Sequence, residues 1–204
     1  MSDPVARLNA ALEGRYVVER RLRIVAMTVL GFLSGILCAL VEFLPDSVSR
    51  LIPGEDANIV GVIFGIVIGL YLYRLRLASA TKAVLFLVAS GLAWLSAYYF
   101  AVDVAWDYAG EVCQEDWCRY MLAGIPAGLL GAGLLVAAIC FLFPFFRRTR
   151  FVVATIVVGG LAGALLGFEN VFVLFPLWQG AIAYCFARAF PTAISPRGEE
   201  IDTA

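Results

Sequence analysis

Three carboxylates recur along this chain, each directly after a long apolar run. Glu42, Asp103 and Glu169 all follow stretches that are almost free of charge. A carboxylate at the carboxyl end of a helix opposes the helix dipole, so a bound cation, an Arg or a cap on the next helix would have to compensate it. Asp107 lies four residues after Asp103 and shares its face if that segment is helical. These residues are candidate binding groups.

Aromatic residues interleave with further acids in the segment after Asp103. The alternating residues are Trp106, Asp107, Tyr108, Glu111, Glu115, Asp116 and Trp117. Carboxylates and ring faces both attract cations, so one interpretation is an outward-facing acidic mouth that attracts cations. The other interpretation is that the rings anchor the membrane interface and that the charges are solvated.

Two amides are the remaining polar candidates. Gln179 is the one strongly polar residue well inside an apolar run. It is either a ligand or pore contact near the middle of the membrane, or a partner in an interhelical hydrogen bond worth about 1 kcal/mol. Asn170 directly follows Glu169 and is placed to cap the next helix.

The five cysteines divide into two groups. Cys38, Cys140 and Cys185 lie in apolar runs and are expected to pack in the core. Cys113 and Cys118 lie in a polar segment that is predicted to face an oxidising compartment, which favours a disulfide that pins a short loop. A redox-active pair and free thiols are the alternatives, although the spacing is Cys-x4-Cys rather than Cys-x-x-Cys.

Several kinds of chemistry have no support in the sequence. The chain contains no His, which removes the commonest zinc ligand and the usual general base. No catalytic or cofactor motif is present, so we predict neither catalytic residues nor a metal site nor a cofactor. The net charge of −1 argues against a nucleic-acid partner.

The elements that must position these residues are apolar helices. The chain is 62% hydrophobic and only 15% charged, whereas a soluble domain has about 25% charged residues. About 20 apolar residues cross a bilayer as a helix, in which every backbone group is paired. We therefore predict an all-α, polytopic transmembrane bundle of six spans, at about residues 24–41, 59–73, 83–102, 121–146, 151–168 and 171–187.

The last two spans depend on a break in the chain. One helix over residues 151–187 would be about 55 Å long, too long for a single crossing. Glu169 and Asn170 form the only strongly polar place for a break. The alternative is one long span followed by a re-entrant piece that ends near Pro176.

The charges predict the orientation and the flanking regions. Thirteen of the 15 Lys and Arg lie on the side of the bundle that holds both termini, so the positive-inside rule places both termini in the cytoplasm, and we predict a bacterial inner membrane. Residues 1–23 form a cytoplasmic tail with an amphipathic surface helix that ends at Gly14. Residues 24–190 form the membrane domain, and residues 191–204 form a disordered cytoplasmic tail.

Glycines four residues apart form strips in several spans, and such strips allow helices to approach closely. They are Gly31, Gly35, Gly61, Gly65, Gly69, Gly124, Gly128, Gly159, Gly163 and Gly167. Packing is the main interpretation, and a hinge or gate is the alternative. Residues 20–25 also align with residues 147–152 at an offset of 127, which predicts tandem helical hairpins, three in all.

Three functions fit these features. The first is a small transporter or channel-like bundle with the acidic mouth. The second is a non-catalytic subunit or assembly factor that packs against a membrane-protein partner, or against a second copy, through the glycine strips. The third is a membrane enzyme, which has the least support. The lack of ionisable residues within the spans favours the second over a proton-coupled transporter. In each case the bilayer itself is a partner.

Overall fold

The chain folds as a helical membrane bundle. The computed structural model describes residues 4–41 and 59–189, with side chains from Glu19 onward. This part of the chain contains helices and no strands, and its apolar helices fit about six crossings, which confirms the predicted fold class. The candidate Glu42 and the predicted tail 191–204 lie outside the described residues.

Seven α-helices make up the described bundle. They are α1 (Pro4–Val41), α2 (Ile59–Arg74), α3 (Ala80–Tyr99), α4 (Trp106–Val112), α5 (Asp116–Leu142), α6 (Thr149–Gly163) and α7 (Val171–Ala189). A π-helical turn (Phe100–Ala105) joins α3 to α4, and 3-10 turns occupy Pro144–Phe146 and Ala164–Phe168. Five segments are long and apolar enough to cross a membrane, and α2 is a shorter apolar helix of 16 residues.

The first helix is longer than predicted. It runs without a break from Pro4 to Val41, so the prediction that a surface helix ends at Gly14 is wrong. A single Gly inside a helix costs about 1 kcal/mol relative to Ala, and the good helix formers on both sides of Gly14 can offset that cost. The location of this segment on the membrane surface stays a prediction.

The segment between the predicted third and fourth spans, residues 103–120, is largely helical. The π-turn and α4 carry the helical chain from Tyr99 to Val112, and α5 already begins at Asp116. The acids of this segment do not end the helical chain, so charge alone was a poor guide to where the third span ends. At its other end α5 stops at Leu142 rather than at residue 146, since Pro144 has no N–H to continue the hydrogen-bonded ladder.

The break between the last two spans is confirmed. After α6 and its 3-10 turn, Glu169 adopts a left-handed backbone conformation with φ 52°. Asn170 then caps α7, because its Oδ1 accepts a hydrogen bond from the backbone N–H of Phe172 at 2.9 Å. Since α7 continues through Pro176 to Ala189, the re-entrant alternative is wrong.

The spans follow one another in chain order around the bundle. The closest pairs are α1 with α7, α2 with α3, and α5 with α6, and lesser contacts join α1 to α2, α3 to α5, and α6 to α7. The close pairs therefore join spans from different predicted hairpins rather than the two spans of one hairpin. The sequence repeat itself stays a prediction.

Glycines explain why these three pairs are close. A Cβ added to Gly31 would lie 2.5 Å from the Cβ of Ala183 in α7, and one added to Gly61 would lie 2.5 Å from the carbonyl oxygen of Ser90 in α3. A Cβ on Gly128 would collide with the carbonyl oxygen of Gly159 in α6. The glycine strips thus face other helices of the same chain, which leaves them occupied and not open to a partner helix.

Large aromatic side chains fill the end of the bundle that carries the basic turns. Phe86 and Phe146 both contact Phe186, with ring centroids 6.2 and 6.1 Å apart, and all three are fully buried. Lys82 lies 5.3 Å from the ring centroid of Phe143. These contacts bring the turn before α3, the end of α5 and the end of α7 together.

We call the end of the bundle with residues 74–82 and 147–150 the basic end. We call the opposite end, with Asp103–Asp116 and Glu169, the acidic end.

Candidate functional site: an aromatic cavity below an acidic rim

A cavity of about 300 Å³ lies toward the acidic end, between α3, α5, α6 and α7. Its walls are almost entirely apolar and include four large aromatic side chains from α3 and α7. The lining residues are Trp94, Ala97, Tyr98, Ala101, Val102, Tyr120, Gly124, Ala127, Gly128, Gly163, Leu166, Val171, Leu174, Phe175 and Trp178. Its size reaches the lower end of the range for small-molecule sites.

The cavity arises from a contrast in side-chain size. Small residues of α5 and α6 face it, among them Gly124 and Gly128, and they leave space beside the large rings of α3 and α7. Trp94 packs edge-on against Phe175 and Trp178, with centroid distances of 5.5 and 5.9 Å. These three rings hold one another in place and form a rigid aromatic wall.

The π-turn contributes to the cavity wall. Ala101 and Val102 belong to this turn and line the cavity, and the next residue is Asp103, which is exposed. Short π-helical segments inside α-helices occur frequently at functional sites. The sequence carries no signal for this turn, because residues 98–105 are apolar or aromatic at every position except Asp103, so a shift in the helical phase leaves no mark in them.

The segment between the cavity residues Val102 and Tyr120, residues 103–119, is called the rim, and it contains an arginine that the sequence did not single out. The guanidinium of Arg119 lies 4.1 Å from the ring centroid of Trp106, and its Nε donates a hydrogen bond to the Trp106 carbonyl at 3.2 Å. The Trp106 ring lies 4.6 Å, centroid to centroid, from the ring of Tyr120, which lines the cavity. The signal in the sequence that could have pointed to Arg119 is that it is the one Lys or Arg in a segment with five acids.

Besides this one arginine, the rim contains five carboxylates. They are Asp103, Asp107, Glu111, Glu115 and Asp116, and all five are exposed. In the described part of the chain, no group of three or more His, Cys, Asp or Glu side chains is placed to hold a metal ion. The rim therefore supplies a negative potential without a chelating site.

A disulfide closes the turn of the rim. Cys113 and Cys118 are joined, with their Cα atoms 6.1 Å apart. The bond links the end of α4 to the beginning of α5. It therefore fixes Trp106, on α4, relative to Arg119 and Tyr120, on α5.

The other sequence candidates have separate positions. Glu169 is exposed in the turn between α6 and α7. A Cβ on the nearby Gly167 would lie 2.8 Å from the carbonyl oxygen of Trp117, so this turn lies against the start of α5, at the same end as the rim. Asn170 uses its side chain as a helix cap.

Gln179 lies away from the cavity, on the face of α7 that packs against α1. It is fully buried, its Oε1 accepts a hydrogen bond from the hydroxyl of Ser34, and its Nε2 donates to Sγ of Cys38 at 3.2 Å. The Cys38 thiol in turn lies 3.5 Å from the carbonyl oxygen of Val60 in α2. Of the two interpretations of Gln179, the structure shows the interhelical hydrogen bond.

Comparisons with known proteins found no relative. The sequence matches no protein-family model, and neither the curated proteins nor the solved structures gave a match.

Proposed function

We propose that this protein binds hydrophobic cations in the aromatic cavity and acts as a small translocator. In the proposed state of this structure, the cavity is accessible from the acidic end. The observation that carries the proposal is an apolar, aromatic-walled cavity in the membrane bundle, whose lining residues Val102 and Tyr120 flank a rim segment with five exposed carboxylates and one arginine. The proposed ligand has an apolar body and a permanent positive charge.

The apolar lining supports the choice of an apolar body. Aromatic faces bind such groups through burial of surface, and the rings of Trp and Tyr also attract a nearby cation. Trp94 and Trp178 pack against each other in the cavity wall, and Tyr120 connects this wall to the Trp106 ring of the rim. A purely polar solute would lose its hydration in this cavity without finding partners.

The rim supports the choice of a positive charge. Carboxylates at a low-dielectric mouth raise the local concentration of cations and repel anions. Asp103 follows Val102 of the cavity wall, and Asp107 follows Trp106 of the rim. The proposal therefore retains the acidic mouth that the sequence suggested, and it adds the cavity below that mouth.

The packing at the basic end supports a state in which the bundle is closed on the side opposite the acidic end. Phe86, Phe146 and Phe186 fill the bundle there, so the described residues enclose no continuous path through it. Transport would require this cluster to open while the rim closes. The subunit hypothesis loses its main support, because the glycine strips are occupied within the chain.

A binding experiment with a cavity-filling variant tests the location of the site. 4-Phenylbutyl-trimethylammonium is titrated into protein in nanodiscs, and the intrinsic tryptophan fluorescence, to which Trp94 and Trp178 of the cavity wall contribute, reports binding. Ala101→Phe places a ring in the cavity and is expected to weaken binding at least tenfold, whereas Leu92→Phe, at a lipid-facing position 59% exposed, is expected to leave it unchanged. Equal affinities in the wild type and both variants would refute the cavity as the site.

A flux experiment tests translocation separately. Liposomes containing the protein are expected to take up the same ammonium compound faster than empty liposomes, and Ala101→Phe is expected to abolish the difference. If binding occurs without flux under any imposed gradient, the protein binds the cation but does not transport it.

A further inference from the structure

A second cavity lies at the basic end, in the turn between α2 and α3. It has a volume of about 500 Å³, and its wall includes Tyr73, Arg74, Arg76 and Lys82. Among the residues that line it in the described part of the chain, three are cationic and none is acidic. Nothing in the proposed translocation of cations uses this cavity, which would repel such a ligand.

The turn holds its cationic residues in a defined arrangement. The carbonyl of Leu72 accepts hydrogen bonds from the backbone N–H groups of Leu77 and Ala78, at 3.0 and 3.3 Å. Arg76 has a left-handed backbone with φ 58°, and its N–H donates to the Tyr73 carbonyl at 2.9 Å. The tight turn therefore places Arg74 and Arg76 on the wall of one cavity.

Lys82 completes the wall from the first turn of α3. Its backbone N–H donates to the side chain of Ser79, which caps this helix, at 3.3 Å. Its ammonium group lies over the ring of Phe143, near the end of α5, and this contact orients the lysine side chain. Ser79 accepts the bond from Lys82 with its oxygen, so its O–H, the cations and the Tyr73 hydroxyl are the side-chain donors on the wall of the cavity.

We propose that this cavity binds the phosphate of an anionic ligand. Arginine presents a planar set of N–H donors that matches phosphate oxygens, and lysine adds a compact charge. The cavity lies where α2 ends and α3 begins. The ends of membrane-spanning helices lie near the lipid headgroups, and basic pockets between such helices bind these headgroups. The exposed apolar side chains of Leu70 and Tyr73, 56% and 48% exposed, would adjoin the acyl chains.

Native mass spectrometry of protein from mixed nanodiscs tests the proposal. Phosphatidylglycerol is expected to remain bound in preference to phosphatidylcholine. Arg74→Gln combined with Arg76→Gln is expected to lower the phosphatidylglycerol affinity by more than tenfold, since each cation contributes about fivefold. The control combines Arg150→Gln with Arg188→Gln, which removes the same charge from exposed positions outside the cavity, and it is expected to change the affinity less than twofold.

Arg76→Gly separates binding from folding. Glycine adopts a positive φ without strain, so this variant keeps the turn and removes one cation, and it is expected to weaken binding about fivefold. Millimolar inorganic phosphate identifies the source of the ligand: displacement of the lipid indicates a soluble phosphate compound, and retention indicates a lipid headgroup. Equal losses in the cavity and control variants, or no loss in Arg76→Gly, would overturn the proposal.

Discussion

The contact between α5 and α6 provides the sharpest test of the helix packing. Gly128→Ala adds one methyl group that points at the carbonyl oxygen of Gly159, with the Cα of Gly163 3.1 Å away. Both obstacles are backbone atoms, so no side chain can rotate out of the way and the two helices must separate. Gly133→Ala, five residues further along the same helix, is the matched control, because no described atom lies within 4 Å of its added methyl.

The difference between these variants isolates the contact. Replacing Gly by Ala inside a helix gains up to about 1 kcal/mol from helix propensity, and this gain is common to both positions. Overpacking costs about 1–3 kcal/mol, and contact with rigid backbone places Gly128→Ala in the upper part of that range. We therefore expect Gly128→Ala to be about 2–3 kcal/mol less stable than Gly133→Ala.

Unfolding by a denaturing detergent in mixed micelles, followed by tryptophan fluorescence, measures this difference. Gly133→Ala is expected to unfold at the wild-type midpoint or slightly above it. Gly128→Ala is expected to unfold at a clearly lower detergent fraction. If the two variants have the same midpoint, α5 and α6 do not approach at these glycines, and the helix arrangement that forms the cavity is wrong.

Three further predictions concern single features of the bundle. Gln179→Leu removes the hydrogen bonds to Ser34 and Cys38 and is expected to lower the free energy of unfolding by about 1 kcal/mol. The same detergent assay measures this change, and an unchanged midpoint would contradict these two hydrogen bonds. Glu169→Gly relieves a left-handed residue, so it is expected to raise that free energy by about 1 kcal/mol, and a loss of stability would contradict the described turn. Cys113 is expected to react with a membrane-impermeant maleimide only after reduction, and labelling without reductant would refute the disulfide.

Much of the fold could be predicted from the sequence because the bilayer imposes simple constraints. The length of an apolar run fixes whether it can cross, and a run too long for one crossing must break at its polar residues, as at Glu169 and Asn170. The ends of helices outside the bilayer were harder. The acids around Asp107 resemble a loop in composition, yet the chain there is helical.

The site could not be predicted in the same way, because it depends on which helices meet. The glycines of α5 were visible in the sequence, but nothing showed that Gly128 faces α6 while Trp94 and Trp178 face the space beside it. Gln179 shows the same limit. Its polarity was evident, but only the packing of α7 against α1 distinguishes a hydrogen-bond partner from a ligand.

The central claim is that the cavity and its rim select hydrophobic cations, and charge selectivity tests it most directly. Three ligands share a phenylbutyl tail and carry a trimethylammonium, a hydroxyl or a carboxylate group. The trimethylammonium compound is expected to bind at least about fivefold more tightly than the alcohol, as a cation–π or rim contact of about 1 kcal/mol implies, and the carboxylate more weakly still. Asp103→Asn combined with Asp107→Asn is expected to shrink that preference, and equal affinities for the three ligands in the wild-type protein would contradict the account.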